Sequence, residues 1–402
     1  MAAYEQIVEA RGHLIDSGIM SRILDRIIEG KCSFQIDEFT VGKTNEDESF
    51  ARIKIQSSDQ NSLKETLDVL VPLGCYLAKE EDVSLAPAPG PGQVPDDFYS
   101  TTNYRTFVRI SGDWNLVKDQ RMDAVIRMDS DGPRCVKLRD IKQGDMVVRG
   151  HAGLKVIREF KDRERRDFTF MASEVSSERR VEVVVRQLAQ MIRQTHEAGG
   201  KIVAVCGPVV VHTGGVDGMS KLIRSGYVSA FLGGNAIAVH DIEYALYKTS
   251  LGVHLETGMP AHEGHRNHMR AINVINHYGS IAKAVEANAL RSGIMYELVK
   301  RQIPFALAGS IRDDGPLPDT ITDMVQAQAQ YSELLKGAEM VMILGTMLHG
   351  IGVGNMIPSW VRTICVDINP AVVTKLSDRG SAQTVGIITD VGAFLHLLKD
   401  QI

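Results

Sequence analysis

The pattern of apolar and polar positions changes texture twice along the chain. Through SFQIDEFTVG (33–42) and FARIKIQ (50–56) apolar and polar residues alternate, the period of a strand with one wet face. NSLKETLDVLVPLG (61–74) then spaces its apolar residues as a helix does, and a further strand follows, so 31–80 reads as half of a small α+β sandwich. APAPGPGQVPDD (86–97) is dense in Pro and Gly, which marks a linker or an ordered loop. Short β patterns (TFVRI, DAVIRM, DMVVRG) come after it, separated by turn signals, and predict a small β-rich region over 104–160.

From about residue 181 the pattern is different. VEVVVRQLAQMIRQTHEAGG is a helix stopped by Gly199 and Gly200. KIVAVCGP (201–208) is a continuous apolar run, which suits a strand buried on both faces. Helices near 217–225, 238–249, 268–302, 319–336, 370–379 and 391–401 then alternate with strands YVSAFLGG, PFALAGS, MVMILGT, RTICVDI and TVGIITD. Strands alternating with helices predict a doubly wound, parallel α/β sheet of six strands. The expected domains are 1–85 (small α+β), 86–180 (β-rich, with the Pro/Gly loop) and 181–402 (α/β, nucleotide-binding).

Composition changes this picture little. The 402 residues are 44% hydrophobic and 24% charged, ordinary for a globular chain able to bury a large core. A formal charge of −5 argues against a general nucleic-acid surface, and the basic run KDRERR (161–166) is interleaved with acids. No apolar run approaches the roughly 20 residues that span a bilayer. The N-terminal stretch carries acids throughout and makes a poor targeting peptide, so a cytoplasmic protein is expected. The five cysteines show no C-x-x-C spacing. His262, His265 and His268 recur every three residues, but Pro260 and Gly264 interrupt a regular helix there, and no metal is expected.

Chemistry should sit beyond the carboxyl ends of the parallel strands. There the chain reads CGPVVVHTGG, GGNAIAVHD, AGSIRDDGPLPD, GTMLHGIGVGN, VDINP and TDVG. Each end has a purely structural reading: Asn235, Asp367 and Asp390 could each cap a following helix. Six such ends together favour a nucleotide. Asp367 is placed for ribose hydroxyls, the Gly345–His349 backbone for a pyrophosphate, with Asn235, Ala236 and Asp314 entering from neighbouring strands. Gly350, Gly352 and Gly354 are spaced G-x-G-x-G in what reads as a glycine-rich loop, and Pro358 breaks the crossover. This is not the usual dinucleotide fingerprint, and alone it is a weak signal.

Longer strings resemble a known family: PDDFYSTTNY (95–104), QRMDAVI (120–126), FMASEVSSER (170–179), HTGG (212–215), GGNAIAVHDIE (233–243), GHRNHMRAIN (264–273), AGSIRDDGPLPD (308–319), and GVGNMIPS through VDINPAVVTKLSDRGSAQ (352–383). They resemble the archaeal-type ornithine cyclodeaminases, also described by the lysine-oxoglutarate reductase/saccharopine dehydrogenase conserved region, and the C-terminal half of cyanobacterial arginine dihydrolase/ornithine cyclodeaminases. The resemblance implies conversion of L-ornithine to L-proline and ammonia with bound NAD. It implies a Rossmann-like sheet of deoxyhypusine synthase/sirtuin type, which would explain the missing fingerprint. It places NAD against Asn235, Ala236, Asp314, Thr346, Met347, Leu348, His349, Asp367, Asp390 and Val391.

Such chemistry needs a cation for the carboxylate, an acid near the amines and a base tuned near neutral pH. The N-terminal half offers Asp96, Asp97 and Tyr99 after the Pro/Gly loop, and Arg121 and Asp123 in QRMDAVI. Arg121 is assigned to the substrate carboxylate, and Asp97 or Asp123 to an amine; the structural reading is surface ion pairs and turn caps. Two alternatives stay open, an NAD-dependent amino-acid dehydrogenase of lysine or saccharopine type and a non-catalytic NAD or amino-acid sensor. A homo-oligomer is expected, with a small amino-acid substrate and neither nucleic acid nor membrane as partner.

Overall fold

The computed structural model describes residues 4–15, 17–44, 47–79, 81–158, 181–313, 315–378 and 384–402. Contacts divide the chain into two units, Met1–Arg166 with Asn355–Trp360, and Asp167–Gly354 with Val361–Ile402.

The first unit opens with β1 (Tyr4–Gly12), α1 (Ile19–Glu29), β2 (Ser33–Thr40), β3 (Ser49–Ser57), α2 (Gln60–Leu70) and β4 (Cys75–Leu77). The strands form an antiparallel sheet in the order β2-β3-β1-β4. β1 pairs with β3 over nine residues, from Tyr4 opposite Ser57 to Gly12 opposite Ser49. The strict alternation of FARIKIQ is borne out: Ala51, Ile53 and Ile55 are buried against Ile19, Ile23 and Ile27 of α1 and Leu63, Leu67 and Leu70 of α2. Asp59 starts α2 by accepting from the Ser62 N–H at 2.8 Å. β1 and α1, absent from the sequence reading, complete the layer. YEQIVEARG buries little besides Val8 and Ala10, so its pattern is weak until β3 is beside it.

Next come β5 (Ser84–Pro87), β6 (Arg105–Ile110), β7 (Asp113–Leu116), β8 (Val125–Asp129), β9 (Gly132–Val136), β10 (Met146–Arg149) and β11 (Leu154–Ile157). They build two antiparallel sheets, β5-β10-β8-β9 and β11-β6-β7. The Pro/Gly stretch is an ordered loop: the Ala88 N–H donates to Asp145 O at 2.8 Å, and Ala88 O accepts from the Gly144 N–H at 2.9 Å.

Residues 355–360 belong to this unit although they come from the far end of the sequence. The Met122 N–H donates to Asn355 O at 3.1 Å, and the Ser359 N–H to Asn103 O at 3.0 Å. Asn103 Nδ2 donates to Ile357 O at 2.9 Å. The guanidinium of Arg105 lies 4.7 Å from the Trp360 ring centroid. Three distant strings, TTNY, QRMD and NMIPSW, therefore meet.

The second unit contains α3 (Val181–Glu197), β12 (Lys201–Cys206), α4 (Val209–His212), α5 (Val216–Arg224), β13 (Ala230–Gly234), α6 (Asn235–Tyr247), β14 (Thr249–Ser250), β15 (Val253–His254), α7 (Asn267–Tyr278), α8 (Ile281–Glu286), α9 (Ile294–Lys300), β16 (Phe305–Ala308), β17 (Thr320–Ile321), α10 (Met324–Leu335), β18 (Ala338–Leu344), α11 (Met347–Met356), β19 (Arg362–Asp367), α12 (Pro370–Asp378), β20 (Thr384–Ile388) and α13 (Val391–Lys399). The main sheet runs β17-β16-β13-β12-β18-β19-β20, with every pairing parallel. It has seven strands rather than six. The added one is two residues long and falls where the sequence predicted the start of the 319–336 helix, which begins at Met324.

The larger correction concerns the glycines. Met347–Met356 is a ten-residue helix, not a loop. At 1.5 Å per residue it spans roughly 15 Å, enough to return the chain beside β18 for the next parallel strand. Two of its three glycines face close neighbours. A Cβ on Gly350 would sit 2.7 Å from Ile343 Cγ2, and one on Gly354 2.8 Å from Leu376 Cδ2. Pro358 lies beyond the end of the helix and so does not break the crossover, contrary to the sequence reading.

Candidate cofactor site

The chain builds β12, β13, β16 and β17 outward on one side, then returns to lay down β18, β19 and β20 on the other. The order reverses between β12 and β18, where an open parallel sheet forms its ligand crevice. Two glycines lie at this point. The Gly207 N–H donates to Leu344 O at 2.9 Å, and a Cβ on Gly207 would overlap the Gly345 carbonyl oxygen. Gly345 itself adopts a φ of 58°, a left-handed conformation that suits glycine.

His349, from the first turn of α11, reaches the end of β13, for a Cβ on Gly234 would meet its Cε1 at 2.9 Å. Its Nδ1 lies 3.3 Å from Thr346 Oγ1. Burial pushes the His349 pKa down, so the imidazole is neutral at neutral pH. The Tyr331 hydroxyl, from α10, donates to Gly233 O at 2.7 Å and fixes the same strand end. Gly207 and Tyr331 were not singled out from the sequence. The first could have been found as the glycine following the innermost apolar run; the second carries no sequence signal, since only packing brings α10 over β13.

Asn235 is buried at the start of α6, and the capping reading is overturned: its side chain makes no cap bond to that helix. Its Oδ1 instead accepts from the Leu317 N–H and Thr320 Oγ1, both at 3.0 Å. Ala236, half-buried, follows it in the first turn. Asp367 ends β19 half-buried, and its Oδ1 accepts from the Asn369 N–H at 2.8 Å. Asn369, not Asp367, accepts from the Ala371 N–H of α12. Asp390 does cap α13, accepting from the Ala393 N–H at 2.8 Å. Val391 behind it is buried against Gly345. Asp314 lies outside the described residues.

A dinucleotide fits this edge. Met347, Leu348, Ile311 and Ile368 follow strand ends with apolar side chains 45%, 77%, 107% and 68% exposed. Flat rings would cover such groups. The first-turn N–H groups of α11 have no partner within the helix and can take a phosphate, and Asp367 supplies a carboxylate.

The three residues assigned to the substrate lie in the first unit. Asp97 Oδ2 accepts from Arg149 Nη2 at 2.6 Å and Nε at 2.9 Å. Arg121 is half-buried, and desolvation lowers its pKa. Asp123 is exposed with φ 56°, beside a turn where Thr101 Oγ1 donates to Arg121 O at 2.7 Å and accepts from the Ala124 N–H at 3.0 Å. Asp97 therefore forms an ion pair, as its structural reading had it. In the second unit His262, His265 and His268 spread over a turn and a helix start, and among the described residues no group of three or more His, Cys, Asp or Glu could hold a metal ion.

Comparison with known proteins places the chain. A family model described as the C-terminal Rossmann fold of arginine dihydrolase ArgZ-like proteins matches residues 186–398. The first region of the same C-terminal part matches 105–185, and the conserved region of the bifunctional LOR/SDH enzyme matches 5–104. The bifunctional arginine dihydrolase/ornithine cyclodeaminase AgrE of Nostoc sp. is 50% identical over 99% of this chain. This chain spans only 58% of that relative's length. The ornithine cyclodeaminase of Methanocaldococcus jannaschii is 50% identical over 98% of this chain and 95% of its own length. The crystal structure of the ternary complex of AgrE with ornithine and NAD+ matches with a TM-score of 0.55 at 49% identity, covering 99% of this chain and 57% of that one. The chain thus belongs to the ArgZ-like C-terminal family, with the LOR/SDH conserved region at its front.

Proposed function

We propose that this chain is an NAD-dependent ornithine cyclodeaminase, converting L-ornithine to L-proline and ammonia. The observation that carries the reading is 50% identity to an archaeal protein of that name over nearly the whole of both chains. The crevice at the strand-order reversal, with its exposed apolar edge and half-buried Asp367, supports it physically.

When bound, NAD would take a hydride from the substrate Cα and return it to the same carbon. The protein's part is to hold and orient. Asp367 receives ribose hydroxyls, and the backbone of 345–349 at the start of α11 takes the pyrophosphate. Thr346, Met347, Leu348 and His349 border the same turn. Asn235 offers its amide nitrogen, since its oxygen is engaged by Leu317 and Thr320. Ala236, Asp314, Asp390 and Val391 complete the set. Arg121 binds the substrate carboxylate, and Asp97 or Asp123 an amine; Asp97 is already shared with Arg149, so Asp123 is the less committed carboxylate. Held in one conformation, the δ-amine attacks C2 within the same molecule, an orientation advantage of about 7 kcal/mol or more. A homo-oligomer in the cytoplasm completes the proposal, the first part testable by light scattering. Among the described residues no helix is long and apolar enough to cross a membrane.

The test supplies C2-deuterated L-ornithine with a trace of NAD. Proline that keeps its deuterium, with ammonia released and no NADH accumulating, is expected. One NADH per turnover without proline would mean an amino-acid dehydrogenase instead. No change in either signal would sink catalysis on ornithine and leave a binding protein.

A further inference from the structure

The second unit holds a buried polar network outside the residues assigned to NAD. Glu243, on α6, is fully buried. Its Oε1 accepts from Thr249 Oγ1 at 2.9 Å and the Gly252 N–H at 3.1 Å. Its Oε2 accepts from the Leu251 N–H at 3.3 Å and lies 3.0 Å from His240 Nδ1. Asn267, from the histidine-rich string, donates through Nδ2 to Thr249 Oγ1 at 3.0 Å. His212 meets His240 edge to face, ring centroids 4.7 Å apart at 67°, and its Nδ1 lies 2.7 Å from Ser250 Oγ.

Hydrogen bonding fixes the state of one imidazole. Burial pushes the Glu243 pKa up, but the bonds from His240, Gly252 and Thr249 together outweigh it and hold the pKa below its ordinary value. An ionised carboxylate only accepts, so His240 must present Nδ1–H to it, and in the neutral ring Nε2 is left with its lone pair. Burial, then the neighbouring His240, pushes the His212 pKa down to about 4, with Glu243 opposing.

The network lies at the carboxyl edge of the sheet. His212 ends α4, which starts three residues past the end of β12. The turn after it is pressed on the first turn of α13, for a Cβ on Gly392 would overlap Thr213 O, two residues from the cap Asp390. His240 stands five residues along α6 from Asn235. A strut tying down the 249–252 turn needs Glu243, Thr249 and, through Ser250, His212, yet it does not need His240.

We infer that His240, oriented by Glu243, is a catalytic residue that carries the proton exchanged between the two substrate nitrogens, with His212 and Glu243 as positioning residues. The inference rests on the ornithine reading. As the δ-nitrogen bonds to C2 of the imine left by hydride removal, the C=N π pair moves onto the α-nitrogen and the δ-nitrogen becomes a cationic secondary amine. Its proton passes to His240 Nε2, leaving the electron pair on nitrogen. The same proton then goes to the α-amino group, and the C2–N bond breaks with its electrons departing on ammonia. The ring nitrogen's pair forms the C=N bond. One proton enters the imidazole and one leaves, so His240 ends as it began, and Glu243 stabilises the transient imidazolium.

The test combines tautomer and turnover. In protein labelled with 15N-histidine and free of substrate, the His240 signal, assigned with His240→Gln, should show the Nδ1–H tautomer. His240→Gln and His240→Ala should lower proline formation by about 10²–10⁴-fold. NAD affinity by calorimetry should stay unchanged, and added imidazole should restore turnover to His240→Ala alone. An Nε2–H tautomer overturns the proposal. So does proline formation by His240→Gln near the wild-type rate, or a loss in His240→Ala that imidazole does not relieve. Should His240→Ala fail to fold, His240→Gln, which keeps a donor for Glu243, decides alone. Wild-type protein that makes no proline sinks the ornithine reading and this inference with it, whereas proline from wild type and an unaffected His240→Gln sink only the inference.

Discussion

Asp367 and Asn235 show how a strand-end residue differs from what its type suggests. Both are good helix caps by chemistry, and neither caps the helix beside it. Asp367 turns the chain through one oxygen, to the Asn369 N–H. Asn235 has its oxygen taken by Leu317 and Thr320, some eighty residues on. Replacing Asn235 with Ser, equivalent at a cap, would therefore shorten the reach to that segment. For Asp367 the consequence is measurable. Asp367→Ala should weaken NAD binding by about tenfold or more, since a hydrogen bond to a charged group contributes roughly 1.5–3 kcal/mol. The same carboxylate should repel a 2′-phosphate, so NAD should bind better than NADP. Calorimetry giving equal affinity for both cofactors, or no loss in the variant, would remove Asp367 from the ribose.

Among elements, α11 is the one whose sequence argues against its structure. Three glycines in ten residues each cost a helix about 1 kcal/mol relative to alanine. Two are required by neighbours, and the third is not: nothing lies within 4 Å of a Cβ at Gly352. The three sites should therefore separate. Gly352→Ala should stabilise the protein by up to about 1 kcal/mol. Gly350→Ala should destabilise it by about 1–3 kcal/mol, because Ile343 is a stiff, β-branched side chain in a buried strand. Gly354→Ala should fall between, as Leu376 meets it with the end of a flexible side chain. Chemical denaturation of the three variants checks the order; a Gly350 variant as stable as the Gly352 variant would mean the helix can shift off β18.

At the scale of the molecule, the segment 355–360 decides most. It takes in the last two residues of α11 and the four that follow but packs in the first unit, with Ile357 1% and Ser359 0% exposed. Ile357→Ala should cost about 2–5 kcal/mol, as for other buried large-to-small changes. Hydrogen exchange should then rise around 101–124, where Asn103 and Met122 bond this segment, more than in β18. Faster exchange confined to β18 would place the segment's stability elsewhere. The division into 1–85, 86–180 and 181–402 stays a proposal about autonomous folding, and limited proteolysis would test its boundaries.

The sequence by itself determined what periodicity and chain connectivity can carry. Continuous apolar runs marked the buried parallel strands, because a strand covered on both faces needs no polar side. Alternation in FARIKIQ marked a strand with one wet face. Strand ends crowded with Gly, Asn, Asp and His pointed to the cofactor edge, and long specific strings pointed to the family. Tertiary structure decided what depends on a partner remote in sequence. β1 became a strand beside β3, α11 a helix whose Gly350 faces Ile343 and whose Gly354 faces Leu376, and Asn235 a tie rather than a cap. The pairing of His212 with His240 was equally invisible, since it needs α4 against α6, and no spacing along one chain records the distance between two side chains that folding brings together.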